Sequence, residues 1–487
     1  MAYGTLFFVK NTALIALTFL TFNLSPSSFA QSQSEVASQE LSTLDFFSEG
    51  QGMHLSPGAL NQLESLRSVL SGTRTDETIL NTLMHRWGIQ EHEGKLVGIK
   101  TVRYKNMKIG VLGCVACHSG KAAGQYIIGI GNKNIDPAQI GFDGVTLETE
   151  LKRLTDVFAE LHFKKKSEAY RNVEDSSIHL MKKLSDPRMA ASTQGLVPVA
   201  LVGSWFYEIA NEPLPTNGFI GATKVPSWFG FTKKLEIGQF SDAIGKGHPP
   251  GWIIGVEFTA GQTPGGVRRY ADKIEHASRL IGDLTPPPYP FAIQYERANR
   301  GKIIFEQTCA KCHGTYEWDQ TGLPIYKAPK IIPLEYIGTD SDRLDYVTED
   351  FLNHVRKSPL SDLVTLSEYA GKRMYVAPRL HAIWARFPYL HNGSVPTLRD
   401  LLEPAANRPK IFSLKNAGEL VRFDPNRVGL THPETSQALI NLIQDYSGKN
   451  RSVYDTGLPG QSNQGHEKFT DLDSDHKDDL IEYLKTL

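Results

Sequence analysis

The chain has 487 residues, with 52 Lys+Arg against 53 Asp+Glu, 40% hydrophobic residues and four cysteines. A chain of this length forms two or three domains and buries a large core without covalent staples, which excludes a disulfide scaffold. The formal net charge of -1 provides no overall field of either sign, so neither a nucleic acid nor an anionic membrane is an expected partner. Charged residues at 22% and aromatic residues at 10% exclude a disordered tail protein.

Residues 1–30 have the pattern of a secretory signal peptide. Lys10 precedes an apolar run from Thr12 to Leu24, and Ser28-Phe29-Ala30 supplies the small residues that a signal peptidase needs. A membrane anchor is the alternative, but the run has about 13 residues where ~20 are needed to span a bilayer. We therefore expect cleavage after Ala30, export to a bacterial periplasm and no membrane span in the mature chain.

All four cysteines lie in two copies of one five-residue motif. The copies are Cys114-Val115-Ala116-Cys117-His118 and Cys309-Ala310-Lys311-Cys312-His313. This CxxCH pattern is the signature of c-type haem attachment, because its thiols reach the two porphyrin vinyl groups and its histidine binds the iron. The motifs predict two covalently bound haem c groups, with His118 and His313 as iron ligands.

Other uses of paired cysteines fit less well. A zinc site with four thiolates does not call for a histidine directly after each pair. A redox-active CxxC of the thioredoxin kind needs one copy only. A disulfide between cysteines three residues apart closes too short a loop to stabilise a fold well.

The motifs are too far apart for a compact tandem of minimal cytochrome domains. Residues 31–100 look helical, and Leu147 to Leu161 repeats apolar residues at helical spacing. The predicted organisation is an N-terminal cytochrome c-like haem domain with helical and aromatic-rich insertions (31–284), a Pro-rich linker (285–290) and a C-terminal cytochrome c domain (291–487). With little strand signal, the predicted fold is mainly α, with both cytochrome domains enlarged by loops and extra helices.

Two helices should frame the C-terminal domain. Ala298 to Gln307 is predicted to form a helix that runs into the second motif, and Leu480, Leu484 and Leu487 mark one apolar face of a closing helix. In small c-type cytochromes the first and last helices cross and close the haem crevice.

Longer motifs resemble a known family. The stretch Gly113 to Gly124 resembles the N-terminal haem segment of the rubber oxygenase branch of the di-haem cytochrome c peroxidase superfamily. Ile383 to Ala385 and Pro388 to Leu398 (PYLHNGSVPTL) resemble the C-terminal stretch of that superfamily, and Tyr454 to His466 is similar to the rubber oxygenase branch in particular.

The resemblance implies a haem-dependent oxidoreductase, either a peroxidase or an oxygenase, in which two unlike haems divide the work. The N-terminal haem on His118 activates O2 or H2O2, and the C-terminal haem on His313 relays electrons from a periplasmic redox partner protein or a small electron donor. The alternative is a pure electron-transfer cytochrome with both haems six-coordinate, which would need neither the long spacing nor the aromatic middle segment.

Three residues are candidates for the sixth ligand of the C-terminal haem. Met374 follows His313 at a spacing typical of a cytochrome c, and methionine would raise the reduction potential. His391 lies in the PYLHNG turn, where a structural role is favoured, whereas the segment of His466 resembles the branch with two histidine ligands. We favour His466 and keep the other two open.

The resemblance places the distal side of the N-terminal haem in the aromatic segment. Trp228 and Phe240 are the best matches to its pocket aromatics, and Glu236 is the candidate for acid–base work on bound peroxide. Near the C-terminal motif, Arg379, Arg386 and Arg408 are candidate partners of the haem propionates, with surface positions as the alternative.

Overall fold

The computed structural model describes part of the chain, namely residues 34–40, 54–55, 84–104, 107–143, 193–198, 206–207, 210, 212, 221–230, 245, 265, 268, 271–318, 320, 324–326, 330–362, 366–431, 451–468 and 470–487. The predicted signal peptide and the predicted helix from Leu147 to Leu161 lie outside these residues. Within them, no helix is long and apolar enough to cross a membrane.

Short strands are distributed along the whole described chain. They are β1 (His54–Leu55), β2 (Glu91–His92), β3 (Lys95–Leu96), β4 (Ile99–Tyr104), β5 (Met107–Leu112), β6 (Ser119–Ala122), β7 (Gln125–Ile128), β8 (Leu196–Pro198), β9 (Ala222–Lys224), β10 (Tyr316–Trp318), β11 (Pro324–Tyr326), β12 (Ile331–Pro333), β13 (Met374–Val376), β14 (Ile411–Ser413), β15 (Phe423–Asp424), β16 (Gly429–Leu430) and β17 (Val453–Asp455). β1, β5 and β4 form a three-stranded antiparallel sheet, and the other strands form antiparallel pairs.

Residues 34–40 and 137–143 are helical, and the helices that the structure gives with full bounds are mostly short. They are α1 (Cys114–Cys117), α2 (Ala271–Gly282), α3 (Tyr295–Thr308), α4 (Ala310–His313), α5 (Leu334–Ile337), α6 (Asp342–Asp345), α7 (Glu349–Lys357), α8 (Leu398–Leu401) and α9 (Ser474–Leu484). Three 3-10 turns accompany them, at Ile383–Ala385, Ala405–Asn407 and Leu420–Arg422.

The prediction of a mainly α fold is wrong. Several small antiparallel sheets lie between the helices, and β2, β3 and β4 occupy part of the segment that looked helical before residue 100. Gly94 and Gly98 both have φ above +70°, a left-handed conformation that turns the chain between these strands and ends any helix. Strands of two to six residues leave no alternating pattern long enough to be recognised in the sequence.

The predicted pair of framing helices is confirmed. α3 runs directly into the second CxxCH motif, and α9 closes the chain. A Cβ atom on Gly301 would lie 1.9 Å from the carbonyl oxygen of Asp479, so glycine lets the two backbones approach at the crossing. Phe305 and Tyr483 pack across the contact with ring centroids 5.2 Å apart.

One hydrophobic core continues across the predicted domain boundary. It joins Val115 and Trp228 from the N-terminal part with Phe305 and Leu480 from the C-terminal part. Tyr289 of the Pro-rich linker is buried in the same core and donates its hydroxyl to the carbonyl of Pro425 at 2.8 Å. The linker is thus packed against the rest of the protein, and the domain boundary itself stays a prediction.

The helix crossing yields a stability prediction. Gly301→Ala should lower the free energy of unfolding by about 1–3 kcal/mol, because the added methyl group overpacks the contact with the backbone of Asp479. The measurement is guanidinium denaturation followed by circular dichroism. The control is Gly265→Ala, whose Cβ meets nothing within 4 Å; an equal effect at both positions would contradict the close-packing explanation.

Candidate haem-binding site

The first CxxCH motif forms a single helical turn supported by a hairpin. Val115 and Ala116 of α1 are buried, and the amide of His118 donates to the carbonyl of Cys114 at 2.9 Å. Gly98, at the turn between β3 and β4, lies directly on α1, since a Cβ there would be 2.3 Å from the amide nitrogen of Ala116. The two cysteines and the histidine of the motif thus lie within one helical turn.

The imidazole of His118 is held by a carbonyl from a distant segment. Its Nδ1 lies 3.0 Å from the carbonyl oxygen of Pro226. A carbonyl can only accept, so Nδ1 carries the proton and Nε2 keeps its lone pair for a metal. Burial lowers the pKa of His118 to about 4, and the bond to Pro226 opposes that shift. The ring is therefore neutral at physiological pH, the form that binds iron.

Trp228 packs on this imidazole. The indole and imidazole rings are stacked, with centroids 4.7 Å apart and planes inclined by 15°. For an iron held by His118 this is the proximal side, whereas the resemblance implied a distal position for Trp228. The other two residues expected on the distal side, Glu236 and Phe240, lie outside the described residues.

The second CxxCH motif repeats the arrangement of the first. α3 continues through Cys309 into α4, and the amide of His313 donates to the carbonyl of Cys309 at 3.0 Å. The Nδ1 of His313 lies 2.9 Å from the carbonyl oxygen of Pro378, which again leaves Nε2 for a metal. Burial lowers the pKa of His313.

His466 lies opposite His313. The two imidazole centroids are 6.3 Å apart. A metal–imidazole bond is about 2 Å long, so two imidazoles on opposite sides of one metal have centroids about 6 Å apart once ring size is added. Burial, together with the nearby His313 and Arg408, lowers the pKa of His466 to about 3. The pair has the spacing and the neutral charge state of two axial haem ligands.

A rigid loop carries His466 in a left-handed conformation, with φ of +56°. Its amide donates to the carbonyl of Ile337 at 2.8 Å. A Cβ on the preceding Gly465 would lie 2.4 Å from the backbone of Gly338, so glycine permits close contact between the two loops. The loop thereby fixes the direction in which the His466 ring points.

Hydrogen bonds from the Arg408 side chain hold the same loop in place. Its buried guanidinium donates to the carbonyls of Asn463 at 2.5 Å and Gly465 at 2.9 Å. Two further carbonyls, those of Leu401 and Glu403, accept from the remaining nitrogens. Arg408 is thus neither a surface residue nor free for a propionate: it holds the His466 loop.

The other two candidate ligands occupy different surroundings. Met374 begins β13, where it pairs with Pro333. His391 is half-buried and lies with its ring 5.3 Å from that of Tyr375, while its backbone carbonyl accepts from the amide of Lys224 at 2.9 Å. Among the described residues, the imidazole that lies beside His313 is that of His466.

Sequence reasoning did not find the residues that orient these rings. Pro226 is 108 residues from His118, and Pro378 is 65 residues from His313. Each acts through its backbone carbonyl, which every residue type possesses, so the side-chain sequence carries no signal for it. The role of Arg408 was missed for the related reason that its partners are carbonyls.

Comparisons with known proteins agree with part of this assignment. Residues 374–413 match the family described as RoxA-like, cytochrome c-like. That stretch contains His391 and Arg408, and the match supports a haem cytochrome and, at a coarse level, a haem-dependent oxidoreductase. Membership of the wider di-haem peroxidase superfamily stays a prediction.

Two relatives come from Sinorhizobium fredii. The chain is 30% identical to the uncharacterized protein y4iM over 236 residues, which cover 43% of this chain and 52% of that protein. It is 42% identical to the uncharacterized protein y4iJ over 123 residues, which cover 23% of this chain and 18% of that protein. The chain thus spans about half the length of the first relative and less than a fifth of the second.

Proposed function

We propose that the protein is an exported di-haem c-type cytochrome oxidoreductase that activates O2 or H2O2 at the haem of His118 and relays electrons through the haem of His313. The observation that carries the proposal is the repeated geometry of two CxxCH turns, each with its imidazole held by a proline carbonyl; among the described residues, a second imidazole lies beside that of His313. Haem bound at these turns would supply one-electron redox chemistry and an iron able to meet O2 or H2O2.

The C-terminal site is suited to electron relay. A haem attached at this motif would be held by His313 and His466, whose ring centroids are 6.3 Å apart, and would then have no iron ligand position left for an exogenous molecule. The Arg408 contacts hold His466 in place, which limits the structural change between oxidation states. A rigid, closed site of this kind favours transfer of electrons over binding of a substrate.

The N-terminal site is suited to ligand activation. In the part of the chain that the structure describes, the ring next to His118 is Trp228, and no second imidazole pairs with it. An iron on His118 would keep its distal side for O2 or H2O2. The stacked indole fixes the imidazole and excludes water from the proximal side, because Trp228 is buried.

Chemistry on the distal side is assigned to the aromatic segment. Glu236 would move a proton between the two oxygens of H2O2 as a general acid–base, which favours a peroxidase. Phe240 would contribute an apolar wall, which favours an oxygenase. The electron donor is proposed to be a periplasmic redox protein or a small reductant, reached after export and cleavage at Ala30.

Low-temperature EPR of the purified, oxidised protein tests this function. We expect two haem c groups per chain, one low-spin from the haem of His313 and one high-spin from that of His118, with the high-spin signal altered by H2O2 in a peroxidase. A high-spin signal inert to H2O2 but lost after reduction and exposure to O2 would favour an oxygenase. Two low-spin signals that H2O2 leaves unchanged would instead establish a pure electron carrier.

The sixth ligand has its own prediction. His466→Ala should convert the low-spin signal of the C-terminal haem to high-spin, because it removes one axial nitrogen. His466→Met should keep the low-spin state and raise the reduction potential of that haem. His391→Ala is the matched control; if it, and not His466→Ala, produced the change, the assignment of His466 would be wrong.

The loop-locking role of Arg408 is tested by Arg408→Met. This change leaves the carbonyls of Asn463 and Gly465 without their donor, and a buried polar group left unpaired costs about 1–3 kcal/mol. We expect a lower free energy of unfolding and a low-spin signal that turns partly high-spin on warming. Arg356→Met, which removes an exposed ion pair with Glu349, should change neither.

A further inference from the structure

Three cations lie close together in the fold. We call Lys133, Lys224 and Arg386 the cation cluster. Lys133 is buried. Burial lowers the pKa of Lys224 to about 7, and the nearby charges of Arg386 and Lys133 add to this effect. The Nζ of Lys133 lies 4.5 Å from the ring centroid of Phe387, the residue that follows Arg386.

The hydrogen-bond acceptors of the cation cluster are backbone carbonyls. Lys224 Nζ donates to the carbonyls of Arg386 and Pro388, both at 2.6 Å. Lys133 Nζ donates to the carbonyl of Lys121 at 3.1 Å. Within the described residues, no carboxylate forms an ion pair with any of the three cations.

Arg386 has a donor to spare. Its terminal nitrogens donate to the carbonyls of Arg379 and Phe229. Its Nε is buried and has no hydrogen-bond partner. A guanidinium stays charged in proteins, so Arg386 brings a positive charge and an unused N–H into this region.

Three other buried or half-buried cations among the described residues are paired with carboxylates. Lys485 pairs with Glu482 at 2.5 Å, Lys477 with Glu403 at 2.9 Å, and Arg451 with Asp136 at 2.7 Å. Burial of a charge without a counter-charge costs several kcal/mol. The cation cluster has no such carboxylate partner among the described residues, and an anionic group beside it would stabilise its charged form.

The cation cluster is connected to both haem motifs. Lys133 follows Asn132, whose side chain donates to the carbonyl of Ala116 in the first motif at 2.9 Å. Lys224 lies two residues before Pro226, which holds His118. Arg386 donates to the carbonyl of Arg379, the residue after Pro378, which holds His313.

We propose that the cation cluster binds the propionate carboxylates of the haems and so forms a shared electrostatic seat between the two haem sites. Carboxylates satisfy the chemistry of this group, because they accept from ammonium ions and from the N–H fork of a guanidinium. The inference rests on the proposed haem attachment at both motifs. The sequence predicts a propionate contact for Arg386 alone of the three, and the structure adds Lys133 and Lys224 to it.

The test is the reduction potential of each haem in Lys133→Met and Lys224→Met, measured by spectroelectrochemistry. Loss of a positive charge beside a propionate stabilises the oxidised iron, so the midpoint potential of one or both haems should fall. Lys224→Arg should restore the value. The control is Lys121→Met, whose ammonium group already pairs with Glu419 at 2.8 Å.

A second measurement covers the case in which these variants do not fold. Redox-difference infrared spectra of the unaltered protein, with its propionates labelled with carbon-13, should show carboxylate bands that stay ionised from acid to neutral pH. Unchanged potentials in folded variants, or propionates that protonate in this range, would overturn the inference. Failure of the proposed function is recognised separately, because the unaltered protein would then lack two haem c groups.

Discussion

The structure depends on one hydrogen bond made twice, from a CxxCH imidazole to a proline carbonyl. The bonds from His118 to Pro226 and from His313 to Pro378 fix the tautomer of each ring and leave Nε2 for a metal. Each bond also ties a helical turn to a segment distant in sequence. The two distant segments are in contact, since a Cβ on Gly230 would lie 2.5 Å from the side chain of Arg379. The orientation of the two imidazoles is therefore linked to the packing of these segments against each other.

The histidines, Arg408 and the cation cluster have different roles in this arrangement. The three histidines of the candidate sites are half-buried and their pKa values are lowered, which keeps them neutral and suited to bind a metal. The Arg408 guanidinium donates to backbone carbonyls of the His466 loop and so holds that loop in place. The hydrogen-bond acceptors of the two lysines in the cation cluster are backbone carbonyls. The second imidazole, 6.3 Å from that of His313 between ring centroids, is compatible with the electron relay proposed for this site.

Much of the candidate site was predictable, because covalent attachment demands a fixed local pattern. The CxxCH motifs, the helix before the second motif and the closing helix all follow from neighbours in sequence and from helical periodicity. The mainly α prediction failed because strands as short as β15 and β16 form only when distant segments meet. Trp228 was predicted to line the distal side of the N-terminal haem, and a resemblance could not show that its indole stacks on the His118 imidazole.

The amino-acid sequence by itself determined the cofactor chemistry, since four cysteines in two CxxCH motifs leave little other use for them. Tertiary structure decided which groups complete each site. Backbone carbonyls at Pro226 and Pro378 act independently of their side chains, and Lys133 and Lys224 look like ordinary surface lysines until the fold buries them. The short distance between His313 and His466 likewise depends on the close contact between two loops at Gly338 and Gly465. These choices depend on burial and on approach through space, and neither quantity is written in local sequence.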